Sequence, residues 1–167
     1  MGDGELVELS EDFEAFYARE RASVLAFAAA LTGDWAFAED LTQEAFAAAH
    51  KHWATLHTPG AWTRRVIANR SASRWRRLGR ETRALTKLAA RPEPVELAPD
   101  DHEFWQAVRA LPARQSQVIA LRYLDDLSVT QIAELLEISE GTVKSSLSHA
   151  RRNLAAALGL DDEEAAS

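Results

Sequence analysis

The chain has 167 residues, of which 47% are hydrophobic, with no cysteine and a formal net charge of −7. That length admits one domain or two small ones, and the missing cysteine excludes disulfides, thiolate catalysis and Cys-ligated metal sites. No apolar run approaches the ~20 residues that span a bilayer. The acidic start MGDGELVELSEDFE is unlike a secretory or mitochondrial leader, so the expectation is a soluble cytoplasmic protein.

Nearly every segment carries helical periodicity. Ser10 is placed to cap a first helix, with Phe13, Phe16, Tyr17, Val24, Phe27, Ala28 and Leu31 along one side. Gly33 suits a left-handed position after that helix, and Asp34 suits the N-cap of the next. The second helix, about Trp35 to Trp53, turns Trp35, Ala38, Leu41, Ala45, Phe46, Ala49 and Trp53 inward. Its other face carries Glu39, Asp40, Gln43 and Glu44, and Asp40, Gln43 and Glu44 fall within one turn of each other. Thr58-Pro59 opens a third helix with Trp62, Val66 and the pair Arg64-Arg65. A break or kink is expected after Asn69. A basic helix then follows through Arg74, Arg76, Arg77, Arg80 and Arg83, with Trp75, Leu78 and Leu85 on its buried side.

The charge is unevenly spread. Residues 1–63 hold three Lys/Arg and eleven Asp/Glu, residues 64–91 hold ten and one, and residues 92–167 hold six and fourteen. A chain that is acidic on average yet gathers cations in one stretch has a local polyanion site. Trp62 and Trp75 fit a core better than a base-stacking role. Three prolines and several acids in Ala90 to Asp101 read as a linker over 90–100. Fully extended it reaches roughly 40 Å, at about 3.3 Å per residue.

The C-terminal unit spans 101–160, before an acidic tail at 161–167 and mirrored by an N-terminal tail at 1–9. It begins with a helix holding Phe104, Val108 and Leu111, breaks at Leu111-Pro112, and continues with a helix holding Val118, Leu121 and Leu124. Leu127 to Leu154 then reads as two helices joined by a tight turn. Ser128 and Gln131 form a capping box. Val129, Ile132, Ala133 and Leu136 repeat at helical spacing until Glu137-Ile138-Ser139. Ser139 caps the second helix, whose apolar stripe is Val143, Leu147, Ala150 and Leu154. Its outer face carries Glu140, Lys144, Ser145, Ser148, Arg151 and Arg152. This is the layout of a helix-turn-helix whose second helix meets base edges, with phosphates along both walls of the groove.

Gly33-Asp34 followed by Ala38 to Phe46 (AEDLTQEAF) resembles the second conserved block of bacterial σ factors. Ala61-Trp62 through Arg64-Arg65-Val66-Ile67-Ala68-Asn69-Arg70 resembles the following promoter-melting block. Leu111 to Gln115 (LPARQ) and Gly141 to Ser145 (GTVKS) resemble the C-terminal σ domain. In order, spacing and length the chain is similar to the extracytoplasmic-function (ECF) group of RNA polymerase σ factors, over about Glu11 to Leu158. The Ala/Arg-rich flavour resembles actinobacterial sequences.

The resemblance implies an all-α protein of two small helical domains joined by a flexible linker: σ2 over 10–89 and a helix-turn-helix σ4 over 101–160. It implies docking of Glu39, Asp40, Gln43 and Glu44 on the β′ clamp of core RNA polymerase, and of σ4 on the β flap. It assigns Arg64, Arg65, Asn69, Arg70, Arg74, Arg76 and Arg77 to the −10 promoter element, with Asn69 reading an extruded base. It assigns Arg122, Glu140, Thr142, Lys144, Ser145, Ser148, Arg151 and Arg152 to the −35 element. Many ECF members carry arginine where this chain has Ser146 and His149, so a weaker −35 contact is expected. An anti-σ protein often clamps both domains in the family, and the sequence neither shows nor excludes one.

Enzymatic activity, a cofactor, a metal and a small-molecule substrate are not expected. His50 and His52, two apart on a helix, make a poor metal pair. Two other readings stay open. A dimeric helix-turn-helix regulator would grip a palindromic duplex unaided. A polymerase-binding module that reads no DNA would have no use for the basic stretch with Asn69. The placement of the two domains in the free protein is also open.

Overall fold

A computed structural model of the chain describes residues 11–82 and 101–160. The expected tails and linker, Arg83 and Leu85 fall outside these residues. The described regular elements are seven α-helices and one short 3-10 turn. The first unit comprises α1 (Phe13–Thr32), α2 (Trp35–Lys51), the 3-10 turn Trp53–Thr55 and α3 (Pro59–Thr82). The second comprises α4 (His102–Ala110), α5 (Ala113–Leu124), α6 (Val129–Leu136) and α7 (Glu140–Leu158).

Local chemistry sets most boundaries. The cap of α1 is Asp12, not Ser10: its carboxylate accepts from the Ala15 amide at 2.8 Å, and α1 begins one residue later. Gly33 ends α1 at φ 63°, and Asp34 starts α2 by accepting from the Phe37 amide. Ser128 and Gln131 form the full capping box on α6, and Ser139 accepts from the Thr142 amide at 3.0 Å to open α7.

The expected kink after Asn69 is absent, because α3 runs unbroken from Pro59 to Thr82. Its buried stripe is Thr63, Arg64, Ile67, Ala68 and Ser71; Trp62, expected to fit a core, is only half-buried, as is Val66. Trp35 is also misplaced by the inward reading; it starts α2 and is 37% exposed. Leu124, at the end of α5, is exposed as well, while Trp105 of α4 is buried without having been expected.

The second half of α1 positions everything else. Phe27, Ala28, Ala29, Ala30, Leu31 and Thr32 are all buried in succession, and a helix apolar all round has neighbours on every side. It packs on α2 and α3 of its own unit and on α4 and α5 of the other. The two units thus share one hydrophobic core, running from Phe16, Phe27 and Ile67 to Val118, Ile119, Leu121 and Val143. The helix-turn-helix of the second unit also meets α3 of the first through α6.

Candidate nucleic-acid and polymerase interface

The acidic face of α2 stands where the periodicity put it. Asp40, Gln43 and Glu44 are exposed and Glu39 is half-buried, while Ala38, Leu41, Thr42, Ala45 and Phe46 face the core. Beside it opens a shallow groove between α1 and α2, lined by Phe13, Tyr17, Gln43, Phe46, Ala47 and His50. His50 lies edge-on to Phe13 at 4.7 Å, so its ring is a packing element. Glu44 forms an ion pair with Arg70 of α3, joining the acidic face to the basic one.

Helix α3 carries two different sets of cations. Asn69, Arg70, Ser73, Arg76 and Arg77 are exposed. Arg74 is half-buried, its guanidinium 3.5 Å from the centre of the Phe37 ring. That contact fixes a long side chain that would otherwise wander. The side chains of Trp75, Leu78 and Arg80 lie outside the described residues.

Arg64 belongs to neither the solvent nor the exposed set. It is 9% exposed and makes five hydrogen bonds. Nε and Nη2 donate to the two carboxylate oxygens of Asp125 at 3.0 and 3.2 Å. Nη1 donates to Glu20 Oε2 at 2.9 Å and to the Gly60 carbonyl, and Nη2 also donates to Ser23 Oγ at 2.9 Å. The paired, two-point contact with Asp125 is the strongest geometry a guanidinium and a carboxylate adopt. Burial pulls the Arg64 guanidinium down, but Asp125 and then Glu20 outweigh it and hold it above its ordinary value. Burial likewise raises the Glu20 carboxyl, and Arg64 with Arg19 outweighs that to hold it below the ordinary carboxylate value.

Asp125 is in the second unit and Glu20 and Ser23 in the first, so Arg64 ties the units together. Two further bonds follow the same seam. Arg65 Nη1 donates to Glu137 Oε1 at 2.5 Å; Glu137 sits in the helix-turn-helix turn at φ 56°. Gln117, 5% exposed, donates Nε2 to the Ala68 carbonyl at 3.0 Å. A cavity of about 440 Å³ opens beside them, lined in part by Trp62, Arg64, Arg65, Asp125, Gln131 and Glu134. Reading Arg64 and Arg65 simply as cations missed this. The helical phase that makes Ile67, Ala68 and Ser71 buried also puts Arg64 inward, which was the available signal. Glu20, Asp125, Gln117 and Glu137 carried no sequence signal, because their partners are 44 to 72 residues away.

On α7, Glu140, Thr142, Lys144, Ser145, Ser148, His149, Arg151 and Arg152 are exposed together. Thr130 of α6 donates to Glu140 Oε1 at 2.9 Å and so orients that carboxylate. Ser146 is buried, so an arginine there would not stand on this face, and only His149 replaces an outward cation. Arg122 donates Nη1 to the Leu127 carbonyl at 2.9 Å and braces the α5–α6 turn. Among the described residues no group of three or more His, Cys, Asp or Glu is placed to hold a metal ion. No helix there is long and apolar enough to cross a membrane.

Comparison with known proteins agrees with this geometry. The first unit matches Sigma-70 region 2 over residues 16–81, and the second matches Sigma-70 region 4 over residues 101–154. The ECF RNA polymerase sigma factor SigL of Mycobacterium tuberculosis is 35% identical, covering 84% of this chain and 85% of that one. The RNA polymerase sigma-E factor of Streptomyces coelicolor is 30% identical over 90% of this chain and 86% of its own. A probable RNA polymerase sigma factor of Xanthomonas campestris, RfaY, is 32% identical, but this chain spans only 36% of its length. Among solved structures, the sigma factor RpoE of Bartonella quintana, crystallised with the anti-sigma factor NepR, superposes with a TM-score of 0.75 at 26% identity. That match covers 90% of this chain and 98% of the other. Two σ regions in the right order, on helices that expose an acidic face, a basic face and a recognition helix, make this chain a member of the extracytoplasmic-function family of RNA polymerase σ factors.

Proposed function

We propose that the chain docks on core RNA polymerase, recognises the −35 and −10 promoter elements and melts the second. Glu39, Asp40, Gln43 and Glu44 on α2 meet the β′ clamp, where a charged rim sets encounter rate and orientation. The adjoining Phe13–Tyr17–Phe46 groove supplies the apolar contact that carries affinity. The second unit meets the β flap.

Along α3, Arg65, Arg70, Arg74, Arg76 and Arg77 replace counterions on the −10 phosphates. Asn69 reads an extruded base, its amide offering both a donor and an acceptor. Extrusion costs a few kcal/mol of stacking, which phosphate and pocket contacts offset, so melting needs no nucleotide hydrolysis. On α7, Glu140, Thr142, Lys144, Ser145 and Ser148 face the −35 bases, with Arg151, Arg152 and the uncommitted part of Arg122 at phosphates. The protein acts as a transcription factor subunit in the cytoplasm, not as an enzyme, and an anti-σ protein is a fitting partner, as for the Bartonella quintana sigma factor crystallised with one.

The observation that carries this reading is the unbroken α3, which aligns Asn69 with four exposed or ring-braced arginines beside the acidic face of α2. The test is promoter-directed run-off transcription by purified core enzyme with and without the chain. A promoter-dependent transcript appearing only with the chain supports the reading. Absence of that transcript, with tight unaided binding of a palindromic duplex by a dimer, would overturn it.

A further inference from the structure

We propose that the seam between the two units is a poised latch, in which Arg64, set in place by Glu20 of its own unit, holds the chain closed through Asp125 of the other, while Arg109 at the other end, its buried Nη1 without a partner, favours opening. The role of closure as an off state rests on the function proposed above; the latch itself does not.

The closed form cannot serve both promoter elements. Elements centred near −10 and −35 lie roughly 25 base pairs apart, or about 80 Å at 3.4 Å per step. In the closed form α3 and the helix-turn-helix are joined side chain to side chain, by Arg65 and Glu137 at 2.5 Å. Two DNA faces held that close cannot reach both sites. Arg64 itself, committed to Asp125, Glu20 and Ser23, reaches a phosphate only after the units part. Residues 83–100 amount to eighteen of chain, which extend to at most roughly 60 Å; with the breadth of the units added, α3 alone being about 36 Å long, the tether permits the separation.

The two ends of the seam are opposite in character. At the Arg64 end every guanidinium nitrogen has an acceptor, two of them the paired oxygens of one carboxylate. Removing Asp125 would leave a buried cation short of its main counter-charge, and such a loss is costly to the packed state. At the other end Arg109 of α4 lies across Gly33, at the turn between α1 and α2. Its Nη1 is buried without a hydrogen-bond partner. The nearby cavity of about 170 Å³ is lined by Leu31, Ser71, Arg109, Leu111, Ser116 and Gln117, from both units. Among these, the Ser71 and Ser116 hydroxyls donate to backbone carbonyls of their own helices. Burial pulls the Arg109 guanidinium below its ordinary value with nothing to offset it. Opening returns this group to water, so it opposes closure as Arg64 enforces it.

The two residues therefore predict opposite effects. The chain has no cysteine, so Lys51→Cys and Ala156→Cys, both at exposed positions, take a spin-label pair reporting the distance between units in the full chain. Asp125→Asn should raise the separated population at least tenfold, and Arg109→Met should lower it. The same order should appear in binding of a single-stranded −10 oligonucleotide by the chain alone, tightest for Asp125→Asn. Arg109→Gln, which keeps a polar end but no charge, guards against loss of fold and should also close the seam. An unchanged distance distribution in folded Asp125→Asn would overturn the latch, as would opening by both Arg109 variants. If the distances shift as expected but run-off transcription fails, the proposed promoter function falls and the latch stands.

Discussion

Replacing Gly33 tests the strained turn and the seam at once. Its φ of 63° is free for glycine and costs about 1–2 kcal/mol for alanine. A methyl group there would also lie 2.6 Å from Arg109 Nε and 2.8 Å from Arg109 Cδ, so that side chain must move. Gly33→Ala should therefore destabilise by about 1–2 kcal/mol. With a urea dependence of about 1–3 kcal/mol per molar, the midpoint falls by roughly 0.3–2 M. Gly33→Asn separates the two effects, because asparagine tolerates the left-handed region at smaller cost but still displaces Arg109. Stability is read by circular dichroism and the separation of the units by the spin-label pair. Both variants should open the seam, with only the alanine losing a full unit of stability. Wild-type stability in Gly33→Ala would refute the strain argument, and wild-type distances in both would refute the steric one.

Glu44→Lys should abolish co-purification with core polymerase while leaving helicity intact, and it also frees Arg70 from its ion pair; unchanged co-purification removes Glu44 from the docking surface. Asn69→Ala should alter base preference at one position of the −10 element in a systematic promoter library, and an unaltered profile excludes it from base reading. Ser139→Ala deletes the acceptor of the Thr142 amide and should cost about 1 kcal/mol of stability, with a loss of −35 duplex affinity that Ser139→Asp restores. Glu20, faced by Arg64 and Arg19 and sharing Arg64 with Asp125, has a depressed carboxyl value. Its contribution is complete above the unfolded value of about 4.3 and is lost as pH falls through the lower folded value. The stability of the first unit, read by circular dichroism, should thus hold from pH 7 to 5 and fall only below about 4; a loss between 7 and 5 would contradict the assignment.

Much of the local fold was legible because local chemistry determines it. Gly33-Asp34, Thr58-Pro59, Ser128 with Gln131 and Ser139 each mark an observed helix boundary. The apolar stripe of α7 is buried as its spacing requires. Failures came where two readings of one residue compete. Asp12 outcompetes Ser10 as a cap because it sits nearer the first apolar turn. Trp35 looks like core by hydropathy but occupies the first turn, outside the packed stripe. The docking of one unit on the other was written only obliquely, in the stretch from Phe27 to Thr32, whose residues are apolar on all sides when one stripe would have served a lone bundle. The acidic face of α2 and the outward residues of α7 emerged at exposed positions, whereas Arg64 and Arg65 were read by charge and found by phase.

That all-round burial of the α1 terminus carries a further implication. A helix sandwiched between two units loses the cover of α4 and α5 when they part, so an unlatched molecule displays a greasy band until another surface replaces the missing one. Such a band invites clumping and proteolytic clearance.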